Sequence, residues 1–251
     1  MTTFFQDCAV MSGRCLKHIT RNGDSFINTL AFPVIMMLLF VNVFGGAFSE
    51  LGGENYINYL VPGVLMISIA MSAATASPSI NADISKGLMD RFRSLPISSG
   101  SFIVGHVLAS VVRTIISTLV VFVMAFIMGF RTSTTLLAWV NITWLLLLFN
   151  LSMTSLAVLF GLLANSVEGA QGYTMVFNLL PYVSSGFIPT DTMPWAVRIF
   201  ANHQPVTVLA EAVRSCFHNA AFHPVPSILW CIGIIAFSLL LSIPLFKRKT
   251  S

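Results

Sequence analysis

Apolar residues run through this chain in blocks of about 20, each long enough at 1.5 Å per residue to cross a hydrocarbon core of about 30 Å. Six blocks read as spanning helices, at about 26–48, 59–80, 101–129, 136–164, 170–187 and 226–246. Residues 1–24 differ. Phe4, Cys8, Met11, Cys15 and Ile19 recur at helical steps on one face, with Arg14, Lys17 and Arg21 on another. A basic amphipathic helix too short in apolar length to span lies along the membrane interface, and Asn22-Gly23-Asp24 ends it. Residues 188–225 are mixed. Trp195, Ile199 and Phe200 follow Pro194, and Val206, Leu209, Val213 and Phe217 follow Pro205, so two short amphipathic helices are expected. These are too short to cross and would dip back into the outer leaflet or cap the bundle. Glu211 and Arg214, three apart, could pair on one helix face.

Between the second and third blocks, residues 81–100 carry Lys86, Arg91 and Arg93 interleaved with Asp83 and Asp90, and Pro96 halts the run. Such a segment reads as a handle for a cytosolic partner or as an ordinary solvated loop.

Composition narrows the class. The chain has 251 residues, 56% hydrophobic and only 9% charged, whereas soluble domains are about 25% charged. The expected fold is an all-α polytopic membrane protein forming a single transmembrane domain over residues 1–251. The net charge of +4 is no nucleic-acid signal, because the basic residues sit in short clusters beside the spans. With six spans, Arg14, Lys17, Arg21, Lys86, Arg91, Arg93, Lys247, Arg248 and Lys249 fall on one side and only Arg131, Arg198 and Arg214 on the other. The bias of basic residues toward the cytosol then puts both termini inside. Residues 1–24 lack a continuous apolar core, so no cleaved leader is expected. The four cysteines have no paired spacing and imply neither a disulfide framework nor a metal site.

No phosphate loop, HExxH zinc motif or GxSxG nucleophile elbow is present. Transport that needs ATP would therefore take it from another chain. Arg113, about 12 residues into the third block, costs roughly 2.5–3.5 kcal/mol at mid-membrane, which the apolar residues around it offset at about 0.3–0.6 kcal/mol each. It reads as lining a polar interior near Glu168 or Asn178, or as reaching the headgroups with His106 on the same face. No acid sits well inside a span, Glu168 being the nearest, which argues against proton coupling. Methionines in five blocks, Met66 and Met71 among them, offer a soft surface to varied apolar ligands or simply fill the core.

Four stretches carry a resemblance: ITRNGDSFINTLAFPVIMMLLFVNVFGG, NYLVPGVLMISIA, KGLMDRFRSLPISSGSFIVGHVLA and SSGFIPTDTMPWAVRIFANHQPVTVLAEAVRS. Through them the chain resembles permease subunits of type-2 ATP-binding-cassette exporters, daunorubicin-resistance-type drug-export permeases above all. The resemblance implies a six-span permease that dimerises with a second permease copy and works with two copies of a separate ATPase. ATP and magnesium would sit on that partner, with no cofactor on this chain. By position, Lys86, Gly87, Leu88, Met89, Asp90, Arg91, Phe92 and Arg93 would form the cytosolic coupling helix that docks in the ATPase. The family commonly has an acidic residue just ahead of this run, where Asp83 and then Ser85 stand. The second and fifth spans would line the substrate path, at Met66, Ile69, Met71, Phe177, Asn178 and Pro181. The helices of 188–225 would be the outer re-entrant pair.

The expected function is ATP-driven export of an amphipathic small molecule, a drug or antibiotic, across a bacterial plasma membrane. Export of a lipid or lipid-linked glycan by the same architecture, an ion-coupled secondary transporter and a non-transporting scaffold are the alternatives.

Overall fold

Hydrocarbon offers backbone amides no partners, so a chain this apolar must close its hydrogen bonds within helices. The computed structural model describes Gly13 and residues 23–50, 56–86 and 99–250, of which 23–29, 47–50, 99–102, 177 and 247–250 are described as backbone only. In order, α1 is Gly23–Glu50, α2 Tyr56–Ala74, α3 Ala76–Ser85, α4 Ser99–Ile127 and α5 Leu136–Leu163. These are followed by α6 Val167–Asn178, 3-10 turns at Leu180–Val183 and Thr190–Thr192, α7 Trp195–His203, α8 Pro205–Phe217 and α9 Val225–Thr250.

Among the described residues, four stretches are long and apolar enough to cross a membrane: Tyr56–Ser85, Ile103–Ile127, Leu136–Leu163 and Val225–Phe246. Within α1, Leu30–Gly46 is a shorter apolar stretch. The α2–α3 unit is the centre. From Tyr56 to Ala74 every residue except Asn58, Tyr59 and Met71 is buried, by α1, α4, α5, α6 and α8. By contrast α4 turns its small and polar face inward, with Gly105, Ala109, Ser110, Thr114 and Ser117 buried. Its larger apolar residues, Leu108, Ile115, Leu119, Val123 and Ile127, point out. That is the inverse of a soluble helix and suits close helix approach in lipid. The last helix, α9, leans mainly on α5 and leaves Leu229, Ile232, Phe237, Leu240 and Ile243 exposed.

Three expectations change. The block at 170–187 is not one spanning helix: α6 has 12 residues, about 18 Å, and ends before Pro181, which fixes the following 3-10 turn. The charged segment begins later than residue 81, because α3 runs on to Ser85 and Asn81 is buried within it. The two short helices of 188–225 do form. However, only α8 buries its apolar face, with Val206, Leu209, Val213 and Phe217 inside. In α7, Trp195, Ile199 and Phe200 point outward and Ala201 is the buried residue. The interfacial helix expected over 1–24 lies, apart from Gly13, Gly23 and Asp24, outside the described residues.

Candidate functional site

Three polar nodes hold the central helix, one at each end and one at its break. At the Tyr56 end it grips residues 183–187, where the first 3-10 turn gives way to irregular backbone. Tyr56 donates its hydroxyl to the Phe187 carbonyl at 3.0 Å and Tyr59 to the Ser185 carbonyl at 2.8 Å. Arg214 on α8 donates to that same Ser185 oxygen at 2.8 Å and to the Tyr59 carbonyl at 3.2 Å, its guanidinium lying 3.9 Å over the Tyr59 ring. The Ser185 amide donates to Thr207 Oγ1 at 3.2 Å, and Gln204 donates to the Val183 carbonyl. Buried backbone outside helices must find its hydrogen-bond partners elsewhere, and here side chains supply them. The contact is tight because both partners are glycines. A Cβ on Gly63 would stand 2.3 Å from the Gly186 oxygen. Phe217 anchors α8 beside this node, edge-on to Phe122, Phe130 and Trp139 at centroid separations of 6.2, 5.1 and 5.9 Å. The pairing expected between Glu211 and Arg214 is not made, because Arg214 turns inward while Glu211 stays exposed.

The second node is the break at Thr75. Pro78 has no N–H for the Ala74 carbonyl, so the helix stops and restarts at Ala76. Arg113 on α4 donates to the Ser72 carbonyl at 3.2 Å and to Thr75 Oγ1, while Thr75 also donates to Ser72 O at 2.8 Å. Arg113 thus occupies a polar interior, but its hydrogen bonds go to the break rather than to Glu168, which is exposed, or Asn178. Nor does it rise to the headgroups with His106. A ladder of small polar groups flanks it: Ser68 meets Ser117, Ser110 meets Thr154 at 2.7 Å, and Ser110 and Thr114 donate to Asn150 Oδ1 at 3.2 and 2.8 Å.

At the Ser85 end, Asn81 donates to the carbonyls of Gly161 and Ala164 at 3.2 and 2.7 Å, satisfying the end of α5. Ser77 donates to the Ala170 carbonyl of α6 at 3.2 Å. Asp83 lies 3.3 Å from His106 Nε2, tying α3 to α4. The acid just ahead of the basic run therefore engages a residue of its own chain. Lys86 follows, exposed. The remaining expected coupling residues, Gly87, Leu88, Met89, Asp90, Arg91, Phe92 and Arg93, lie outside the described residues.

Of the expected path residues, Met66 and Ile69 have no exposed surface and Pro181 is buried, so in this protomer they are core. Met71 and Asn178 are half-buried, and Asn178 Oδ1 has no hydrogen-bond partner. The side chain of Phe177 lies outside the described residues. Packing of α2 against α6 and the following turn does bring the two expected path elements together. Tyr56, Tyr59, Gly63, Thr75, Asn81, Asn150 and Gly186 are structural centres that composition and periodicity passed over. Lone glycines in apolar runs, Gly63 and Gly186, were the available signal of close backbone approach.

Among the described residues, no group of three or more His, Cys, Asp or Glu could hold a metal ion. The arrangement is mechanical: a buried, broken helix clamped to neighbours at both ends, with a charged segment starting where it stops. The chain is 28% identical over 228 residues to the daunorubicin resistance ABC transporter permease protein DrrB1 of Streptomyces coeruleorubidus, covering 90% of this chain and 80% of that one. It is 23% identical over 214 residues to the probable doxorubicin resistance ABC transporter permease protein DrrC of Mycobacterium tuberculosis, covering 84% and 76%. The putative transport permease ycf38 of Cyanophora paradoxa is 22% identical over 228 residues, covering 88% and 78%. The family model for ABC-2 type transporters matches residues 6–218, and the chain is a multi-pass membrane protein belonging to that family of ABC permease subunits.

Proposed function

We propose that this chain is the membrane subunit of an exporter that moves an amphipathic small molecule outward across a bacterial plasma membrane, driven by two copies of a separate ATPase. ATP and magnesium are held by that partner, and a second permease copy completes the pathway. Family membership and the drug-resistance relatives support the class. The observation that carries the mechanism is the buried α2–α3 unit, which runs from the glycine contact at Gly186 to Lys86 at the start of the charged segment. A push on residues 86–93 is delivered to this helix, because Asn81 and Asp83 tie its lower end to α5 and α4.

In this reading both termini are cytosolic and 183–187 is the outer closure of the path. The broken stretch 167–187 makes the fifth of the six crossings. Met71 and Asn178, which keep exposed surface, face the path when the second copy is present, while Met66, Ile69 and Pro181 back them from the core. Phe177 precedes Asn178 on α6.

The reading is tested by purifying the chain with the ATPase it assembles with and titrating an anthracycline against ATP hydrolysis. Stimulation that disappears when Arg91→Glu replaces the wild type supports it. Hydrolysis indifferent to the permease and to the drug counts against it.

A further inference from the structure

We propose that a cleft between α4, α5 and α9 is a binding site for an anionic phospholipid of the cytosolic leaflet, with one acyl chain in the cleft and the headgroup on the basic run that follows. The cleft has a volume of about 190 Å³ and is lined by Ile103, Val107, Val158, Leu239, Ile243 and Phe246, with Ser155 and Ser242 its only polar side chains. A cavity walled almost wholly by hydrocarbon does not hold ordered water, and Leu239 and Ile243, both about half exposed, set its mouth on the outside of the bundle. Hydrocarbon chain is the occupant that such a mouth admits from a bilayer.

Two observations say more than that lipid is nearby. Ser242 is 4% exposed and its Oγ has no hydrogen-bond partner, whereas Ser155 Oγ is satisfied by the Ser152 carbonyl at 2.8 Å. A buried hydroxyl left without a partner is costly, and the ester carbonyl of a glycerolipid is an acceptor that can enter beside an acyl chain. The helix then continues from Phe246, the last lining residue, through Lys247, Arg248 and Lys249. These three begin five residues beyond Ser242, about 7.5 Å along the axis, a spacing that matches the step from an ester to its phosphate. Three basic residues at the end of a membrane helix favour anionic over zwitterionic headgroups.

The leaflet rests on the topology proposed above; the site itself does not. Native mass spectrometry of the purified full-length permease, without any ATPase, measures retention of phosphatidylglycerol against phosphatidylcholine. Loss of export and loss of lipid binding are therefore separate results. The wild type is expected to prefer phosphatidylglycerol by about tenfold or more. Lys247→Gln, Arg248→Gln and Lys249→Gln together abolish that preference while leaving phosphatidylcholine retention unchanged. Ile243→Trp at the mouth, or Val107→Phe inside, lowers retention of both lipids several-fold with helical content unchanged by circular dichroism. Equal retention of the two lipids by the wild type overturns the proposal. So does a preference that survives the triple change, or retention untouched by both groove-filling variants.

Discussion

The guanidinium of Arg113 on α4 meets the main-chain oxygen of Ser72 on α2 at 3.2 Å, at the turn where Pro78 interrupts the most buried span among the described residues. An arginine in hydrocarbon is expensive, and here its charge is met by the Ser72 carbonyl and the Thr75 hydroxyl at the break. Arg113→Leu strips that carbonyl of one donor, although the Thr75 hydroxyl still serves it at 2.8 Å. The expected loss of stability is about 1–3 kcal/mol, read as a lowered melting temperature in detergent. Arg113→Lys should recover part of it. Wild-type melting in Arg113→Leu would show that the arginine does not hold the break.

Gly63 packs its backbone directly against that of Gly186. Gly63→Ala drives a methyl into the Gly186 carbonyl, a backbone atom with nowhere to go, since the Cβ would stand 2.3 Å away. Overpacking of this kind costs about 1–3 kcal/mol, occasionally more. Gly233→Ala on α9 has no atom within 4 Å of its Cβ and should be neutral or stabilising, by at most about 1 kcal/mol. Thermal unfolding of the two variants side by side checks the contrast, and equal effects would sink the glycine argument.

Tyr59 and Arg214 share one acceptor, the Ser185 oxygen, and stack on each other. Arg214→Lys keeps a charge but loses the planar fork that reaches two carbonyls at once. A double-mutant cycle with Tyr59→Phe should return a coupling of about 0.5–3 kcal/mol. Additive effects would mean that the two residues anchor residues 183–187 independently.

Asp83 and His106, 3.3 Å apart, join α3 to α4 next to the charged segment. Asp83→Asn removes the acid while keeping its size. Stimulation of the partner ATPase by substrate should fall in this variant, and basal hydrolysis should not. If stimulation is unchanged, the pair is structural only.

Helix positions were legible because lipid demands long apolar blocks, and α1, α2–α3, α4, α5 and α9 fall within a few residues of the expected bounds. The proline-led helices α7 and α8 were legible for the same local reason that Pro194 and Pro205 start them. The short α6 was not, since hydropathy does not tell a continuous span from a helix that Pro181 cuts off. Asp83 stands in a run of charges and reads as solvated, yet it faces His106, 23 positions away in the chain. Arg113 signalled a polar interior through its cost alone. Its acceptor, the main-chain oxygen of Ser72 in the last turn before the break, carries no side-chain signature.

Drug accumulation in proteoliposomes holding the permease and its ATPase tests the central claim most directly. Uptake should require ATP outside the vesicle, on the side that bears the nucleotide sites. It should vanish when the ATPase is hydrolysis-dead and fall to background with Arg91→Glu in a permease that still inserts. Accumulation that persists with the dead ATPase, or collapses with the proton gradient while ATP is plentiful, would contradict the account.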